Sequence, residues 1–301
     1  MKRRKFIQAS ALSVVAVSSF GFIRFDGKKY IGDCETTTDI LGPFYRPDSP
    51  MRSNLNVAGK KGKPVHLTGL IMNDDCSTPY ANAKVELWHC DEEGVYDNST
   101  PDYNYRGTVM TDAKGQYSFD TILPVPYDAG GGLIRPAHFH MMVTAGGYQT
   151  LVTQLYFSGD EYVQKDPWAS NEAAKNRVLN VTSDGKNGNT VTFNVGLSKK
   201  LGMEKASLEK LTGFYKAEDG SGEKVELIQK EGKLWIKNEV FGTAYEYLGD
   251  NTFEFPGLHD GSYRRIIFQT DGKMEMEMFQ LGSEVQSRSY LKVSKNDLTI
   301  L

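Results

Sequence analysis

From Pro64 to Leu197 the chain breaks into short runs in which apolar and polar residues alternate: PVHLTGLIM, KVELWHC, GTVMTD, GQYSFDTI, HFHMMVTA, LVTQLYF and NTVTFNVGL, separated by Gly, Asp, Asn and Pro clusters. A period of two is what a pleated strand with one buried face requires, and it does not fit a helix. Many such runs in series predict an all-β chain whose first unit is a β-sandwich. Two longer irregular stretches, DEEGVYDNSTPDYNYR and LPVPYDAGGGLIRPA, interrupt the series. Long loops in compact domains commonly carry function. Residues 25 to about 63 are rich in turn residues and have little period of their own, and they read as an arm laid over another part of the chain.

A linker over 198–210, with a helical turn or two, leads to a second strand-rich series over 211–301, read as a small β-sheet or barrel domain. Within it KVELIQKEGKLWIKN predicts a hairpin turning at Glu231-Gly232, and Met274, Met276 and Met278 alternate with glutamates as a core row. Its histidine, His259 in PGLHDGS, reads as a solvated turn residue. This half offers no catalytic constellation.

The chain has 301 residues, 39% hydrophobic, with a formal charge of −3, an ordinary globular balance that gives no reason to expect nucleic acid or an anionic membrane as partner. Four basic residues at positions 2 to 5 precede a small or apolar run from Ala9 to Ile23. That is a signal-peptide layout over 1–24, too short for a stable membrane span. Within it Arg3-Arg4-Lys5-Phe6-Ile7 resembles the twin-arginine export signal, so the expected location is the periplasm or cell envelope. Cys34, Cys76 and Cys90 show no CxxC spacing and allow at most one internal pair.

In LIRPAHFHMMV, Leu133 to Val143, an extended backbone puts His138 and His140 on one face and Phe139 and Met141 on the other. Such a pair suits a metal of borderline hardness, but an HxH in a strand is more often a polar face than a ligand pair. Tyr96 and Tyr127 lie one in each long loop, and each taken singly reads as a half-buried packing residue.

Taken in order, LGPFYRP, VELWHCDEEGVYDN, YRGTVMTDAKGQYSF, PVPYDAGGGLIRPAHFHMMV and TQLYFSGD resemble the intradiol ring-cleavage dioxygenases, the catechol and protocatechuate dioxygenase superfamily, over about residues 36–197. The resemblance implies a sandwich with one Fe(III) held by Tyr96, Tyr127, His138 and His140. Two anionic phenolates suit a hard trivalent ion. It further implies that a small aromatic diol binds as a dianion and displaces Tyr127, whose oxygen accepts a substrate proton. Addition of O2 to the activated ring then gives a cis,cis-muconate-type diacid. Arg135 matches the arginine that steadies charge on the ring, and Gln154 a pocket glutamine; Pro43 and Tyr45 match positions at the pocket mouth. The alternatives are a catalytically inactive exported binding module, or a zinc or copper enzyme recruiting His66 or His89. The short lead before LGPFY leaves no room for the helical N-terminal domain of the catechol branch and brings the build closer to the protocatechuate-like branch. Asp-Ala-Gly-Gly-Gly after Tyr127 implies a wider or more mobile pocket than in the protocatechuate enzymes. The ring substituent is left open.

Overall fold

The computed structural model describes residues 23–25, 30–32, 35–183, 185, 188–237, 244–259, 261–280 and 283–294. The export signal, apart from its last two residues, and Cys34 lie outside the described residues.

A short antiparallel pair, β1 (Ile23–Phe25) and β2 (Tyr30–Gly32), comes first. The alternating runs then become β3 (Pro64–Met72), β4 (Lys84–Trp88), β5 (Arg106–Met110) and β6 (Gln116–Ile122). A two-residue ladder joins β7 (Tyr127–Asp128) to β8 (Ile134–Arg135), ahead of β9 (His138–Thr144) and β10 (Leu151–Phe157). Short strands β11 (Val178–Leu179), β12 (Thr182–Ser183), β13 (Asn189–Thr192) and β14 (Val195–Gly196) complete the unit. One sheet has the order β11-β10-β9-β4-β5; the other runs β12-β13-β3-β14, with β6 also paired to β3.

Strand alternation decides what each sheet face meets. Val85 and Leu87 of β4, Phe139, Met141 and Val143 of β9, and Leu151 and Leu155 of β10 turn inward. They pack with Val65, Leu67, Ile71, Phe119, Val191 and Val195 of the facing sheet as the sandwich core. The even-numbered residues of β4, β9 and β10 therefore project from the outer face. That face is also covered: β9 is buried from His138 through Val143, on both sides.

Part of the cover is the arm. Asp39 N–H donates to Val152 O at 2.9 Å. The rest comes from the C-terminal unit. Helix α1 (Lys205–Leu211) buries Leu208 and leads into β15 (Gly213–Ala217), β16 (Lys224–Lys230), β17 (Lys233–Ile236) and β18 (Glu246–Gly249). β19 (Thr252–Glu254), β20 (Tyr263–Phe268), β21 (Lys273–Phe279) and β22 (Gln286–Val293) follow. These eight strands form one antiparallel sheet, β17-β16-β15-β22-β21-β20-β19-β18, and a bridge between Leu234 and Tyr245 joins its two edges into a barrel. An eight-stranded barrel is just wide enough for its side chains to fill, and Tyr215, Phe253, Ile266, Phe268, Met274 and Tyr290 do so. Of the methionine row, Met274 is wholly buried and Met276 packs on the cluster, while Met278 is half-buried. The Glu231-Gly232 turn forms as expected, with positive φ at both residues as a two-residue hairpin of the primed type needs.

The apolar cluster of the barrel continues into the outer face of the sandwich through Leu41, Trp88, Cys90, Tyr96, Met142 and Val152. Glu246 of β18, itself buried, accepts from Thr150 N–H at 3.1 Å and Thr150 Oγ1 at 2.7 Å, with Lys233 Nζ at 2.9 Å. His259 corrects the sequence reading. It is 4% exposed rather than solvated, because its turn docks on the arm, where Gly257 O accepts from Leu41 N–H at 3.1 Å. Such a contact between remote segments leaves no trace in local composition. Cys90 is a free, buried thiol, and Cys76 is disulfide-bonded. Among the described residues no helix is long and apolar enough to cross a membrane.

Candidate metal centre

β9 carries two imidazoles on the covered outer face of its sheet, and register sets their neighbours. His140 is paired with Trp88 on β4 and with Gln154 on β10, while His138 is paired with Tyr156. The Trp88 indole stacks on the His140 ring at 5.0 Å and 8°. His138 Nδ1–H donates to Pro136 O at 2.6 Å, which leaves the Nε2 lone pair facing outward, 3.2 Å from His140 Nε2.

The two long loops bring the phenols. The Tyr96 hydroxyl lies 3.1 Å from His140 Nε2 and 3.4 Å from His138 Nε2. Tyr127 stands beside Tyr96, with ring centroids 5.5 Å apart, and its ring lies 5.7 Å from that of His138. Its place comes from the β7–β8 ladder, in which Tyr127 pairs with Arg135 across the Asp-Ala-Gly-Gly-Gly turn. Gly94 sits against it: a Cβ there would lie 2.9 Å from Tyr127 Cβ, and φ is +82°. The arm closes the group, with Phe44 stacked on Tyr96 at 4.2 Å and Gly42 so close to His140 that a Cβ would lie 3.1 Å from Cε1.

The donor set fits a cation. Two buried imidazole nitrogens and the Tyr96 oxygen converge beside the Tyr127 ring, and the one Tyr96 hydroxyl proton cannot satisfy both imidazole nitrogens. His140 Nδ1 is buried without a partner. Burial, reinforced by Arg135, lowers the His138 pKa to about 3; burial, then His138, takes His140 well below its usual value, so both rings are neutral and competent as ligands. Burial, then Tyr127, raises Tyr96 well above 10, and burial raises Tyr127 against the pull of Arg135. Ionising both phenols here therefore needs a strong local positive charge, as a trivalent ion provides.

Arg135 is no surface ion pair. It is 4% exposed, donates through Nε to Asp166 Oδ2 at 2.6 Å and through Nη2 to Gln154 Oε1 at 2.7 Å, and lies over the Trp168 ring. Gln154 is itself wholly buried and donates to Ile40 O at 2.7 Å. Below them Tyr156 donates to Asp39, which also accepts from Arg177. Tyr45 is half-buried beside Trp88, its hydroxyl 3.3 Å from Glu86; Pro43 is exposed.

His66 and His89 are not drawn in. His66 is exposed at the ring and pairs with Asp120 at 2.8 Å. Both nitrogens of His89 are used, by Cys90 O and by Thr121 Oγ1. Among the described residues no cluster of three or more His, Cys, Asp and Glu could hold a metal. The Cys90 thiol lies among the tyrosine loops, but burial pushes its pKa up to about 11 and it is inert as a nucleophile. Sequence reasoning missed Phe44, Trp88, Asp39, Tyr156, Asp166 and Arg177. The first two and Tyr156 stand inside the motifs already singled out, next to named residues, but only the fold shows that they face the centre.

A family model described as Dioxygenase matches residues 40–199, slightly more than half of the chain. Catechol 1,2-dioxygenase of Candida albicans is 36% identical over 151 residues, which are 44% of this chain and 50% of that protein. Hydroxyquinol 1,2-dioxygenase of a Rhizobium species is 35% identical over 159 residues, 46% of this chain and 52% of that protein. The chain thus spans about half the length of these curated relatives. The solved structure of Acinetobacter radioresistens catechol 1,2-dioxygenase superposes with a TM-score of 0.50 at 28% identity, covering 55% of this chain and 63% of that one. With the matched segment running from the arm through both sheets of the sandwich, the chain belongs to the intradiol ring-cleavage dioxygenase family.

Proposed function

We propose that the protein cleaves a catechol-type ring between its two hydroxyl-bearing carbons, using O2 and a ferric ion held by Tyr96, Tyr127, His138 and His140. The observation that carries this reading is the convergence of those four side chains, from three separate segments, on one covered sheet face. Held there by these four side chains, ferric iron would supply Lewis-acid withdrawal of electron density from a catechol-type ring.

The residues of the chain divide the remaining work. Tyr127 is the more exposed of the two phenols and stands on a two-residue ladder rather than under a stacked ring, so it is the donor best able to move aside. Once displaced, its oxygen accepts a proton from the substrate hydroxyl. Arg135, clamped by Asp166 and Gln154, holds a fixed positive charge where the ring gathers negative charge. Trp88, Phe44 and the buried imidazoles exclude water from that side.

Oxygen uptake over catechol, protocatechuate and hydroxyquinol, with the product identified by mass, tests the reading. Stoichiometric O2 consumption with a ring-opened diacid is expected for at least one of them. No uptake from iron-loaded protein on any would overturn it. Tyr127→Phe is expected to shift the visible absorption and depress turnover by at least about a hundredfold, as loss of an acid–base group does. The twin-arginine-like leader supports export of the folded protein, which fractionation of the producing cell checks by presence outside the cytoplasm.

A further inference from the structure

We infer that the C-terminal barrel is part of the wall of the ring-binding site, its β19–β20 turn acting through the arm to set which ring substituents are admitted. The inference rests on the catechol-cleaving reading above and adds a determinant outside the sandwich.

Three contacts in sequence leave little slack between barrel and donors. In the turn, Gly257 O accepts from Leu41 N–H at 3.1 Å, and a Cβ at Gly257 would lie 2.9 Å from Leu41 Cβ. One residue along, Gly42 is packed on the His140 ring. Two further, Phe44 stacks on Tyr96 at 4.2 Å. A displacement of the turn is thus passed to the wall over the metal donors, because close-packed contacts transmit strain rather than absorb it. The barrel is itself pinned by the buried Glu246, which holds Thr150 just before β10, the strand of Gln154. His259, two residues past Gly257, has a buried Nε2 with no partner. Buried polar atoms are ordinarily hydrogen-bonded, so this nitrogen has spare capacity among the described residues of the turn. Gly257 acts as the positioning residue, and His259 lies buried in the same turn.

The test uses the full chain, iron-loaded, with Gly257→Val and His259→Ala assayed on catechol and on hydroxyquinol. The ratio of kcat/KM between the two substrates is expected to shift about fivefold or more, chiefly through KM, in keeping with the size of pocket-shape discrimination. Iron content and visible absorption per iron should stay those of the unaltered chain. An unchanged ratio in both variants, or equal losses on both substrates accompanied by loss of iron, would overturn the inference. Should Gly257→Val not fold, His259→Ala decides, together with hydrogen exchange of the unaltered protein. There an anaerobic nitrocatechol should slow exchange across 255–262, and no change would count against the proposal. A chain that binds iron yet cleaves no ring overturns the functional reading instead, and shows itself before any variant is made.

Discussion

Gly94 shows how little room the centre leaves. With φ at +82° and Tyr127 Cβ 2.9 Å from where its own Cβ would be, Gly94→Ala meets both backbone strain and a collision. A loss of about 1–3 kcal/mol is expected from a left-handed non-glycine residue alone. Urea midpoints and retained iron report the two parts separately. His89 makes a pH prediction. Burial lowers its pKa from 6.5 to about 4, so the folded chain keeps it neutral while the unfolded chain binds a proton below 6.5. In that window the unfolded state carries more protons, and stability therefore falls as pH drops from 6.5 to 4, by on the order of 3 kcal/mol. Chemical unfolding across that range should show the slope, and His89→Gln should lessen it by one proton's share, since buried His138 and His140 act in the same direction. Arg135 belongs at this scale too. Asp166→Ala leaves a buried guanidinium without its anion, for which about 3–5 kcal/mol is the usual penalty. Thermal melts check it, and a loss under 1 kcal/mol would mean that Gln154 and Trp168 suffice to hold the charge.

At the level of strands and loops, the runs mapped closely onto β3, β4, β5, β6, β9 and β10; β3 and β6 are half-buried and write that period into local sequence, whereas β9 and β10, buried on both faces, show as short apolar-rich runs bounded by turn residues. The shared face of His138 and His140 was legible from the pleat itself. Register was not. That Trp88 and Gln154 flank His140 depends on cross-strand pairing, which no local pattern encodes. Nor was the ion pair of Arg177 with Asp39, whose partners stand 138 residues apart. His259 was misread for a related cause: its turn has polar composition, but the arm buries it. The contact of β18 with β10 yields its own prediction. Glu246→Gln keeps the shape but leaves Lys233, only partly exposed, without its counter-ion, and should cost about 2 kcal/mol after allowance for solvent. Denaturant unfolding followed by tryptophan fluorescence measures it.

For the molecule as a whole, a sandwich places the proposed metal donors on the outer face of one sheet, and an arm, two loops and a barrel cover that face. The closed barrel supplies no donors, yet it shares one continuous apolar cluster with the sheet that does. The proposed ring cleavage depends on Tyr96, Tyr127, His138 and His140 sharing a ferric ion, and tyrosinate bound to ferric iron absorbs visible light. Metal analysis and a visible spectrum of the purified, folded chain therefore address it directly. The expected result is close to one iron per chain with a visible band that Tyr127→Phe shifts, and a colourless protein, or one that takes zinc or copper in preference to iron, would contradict it.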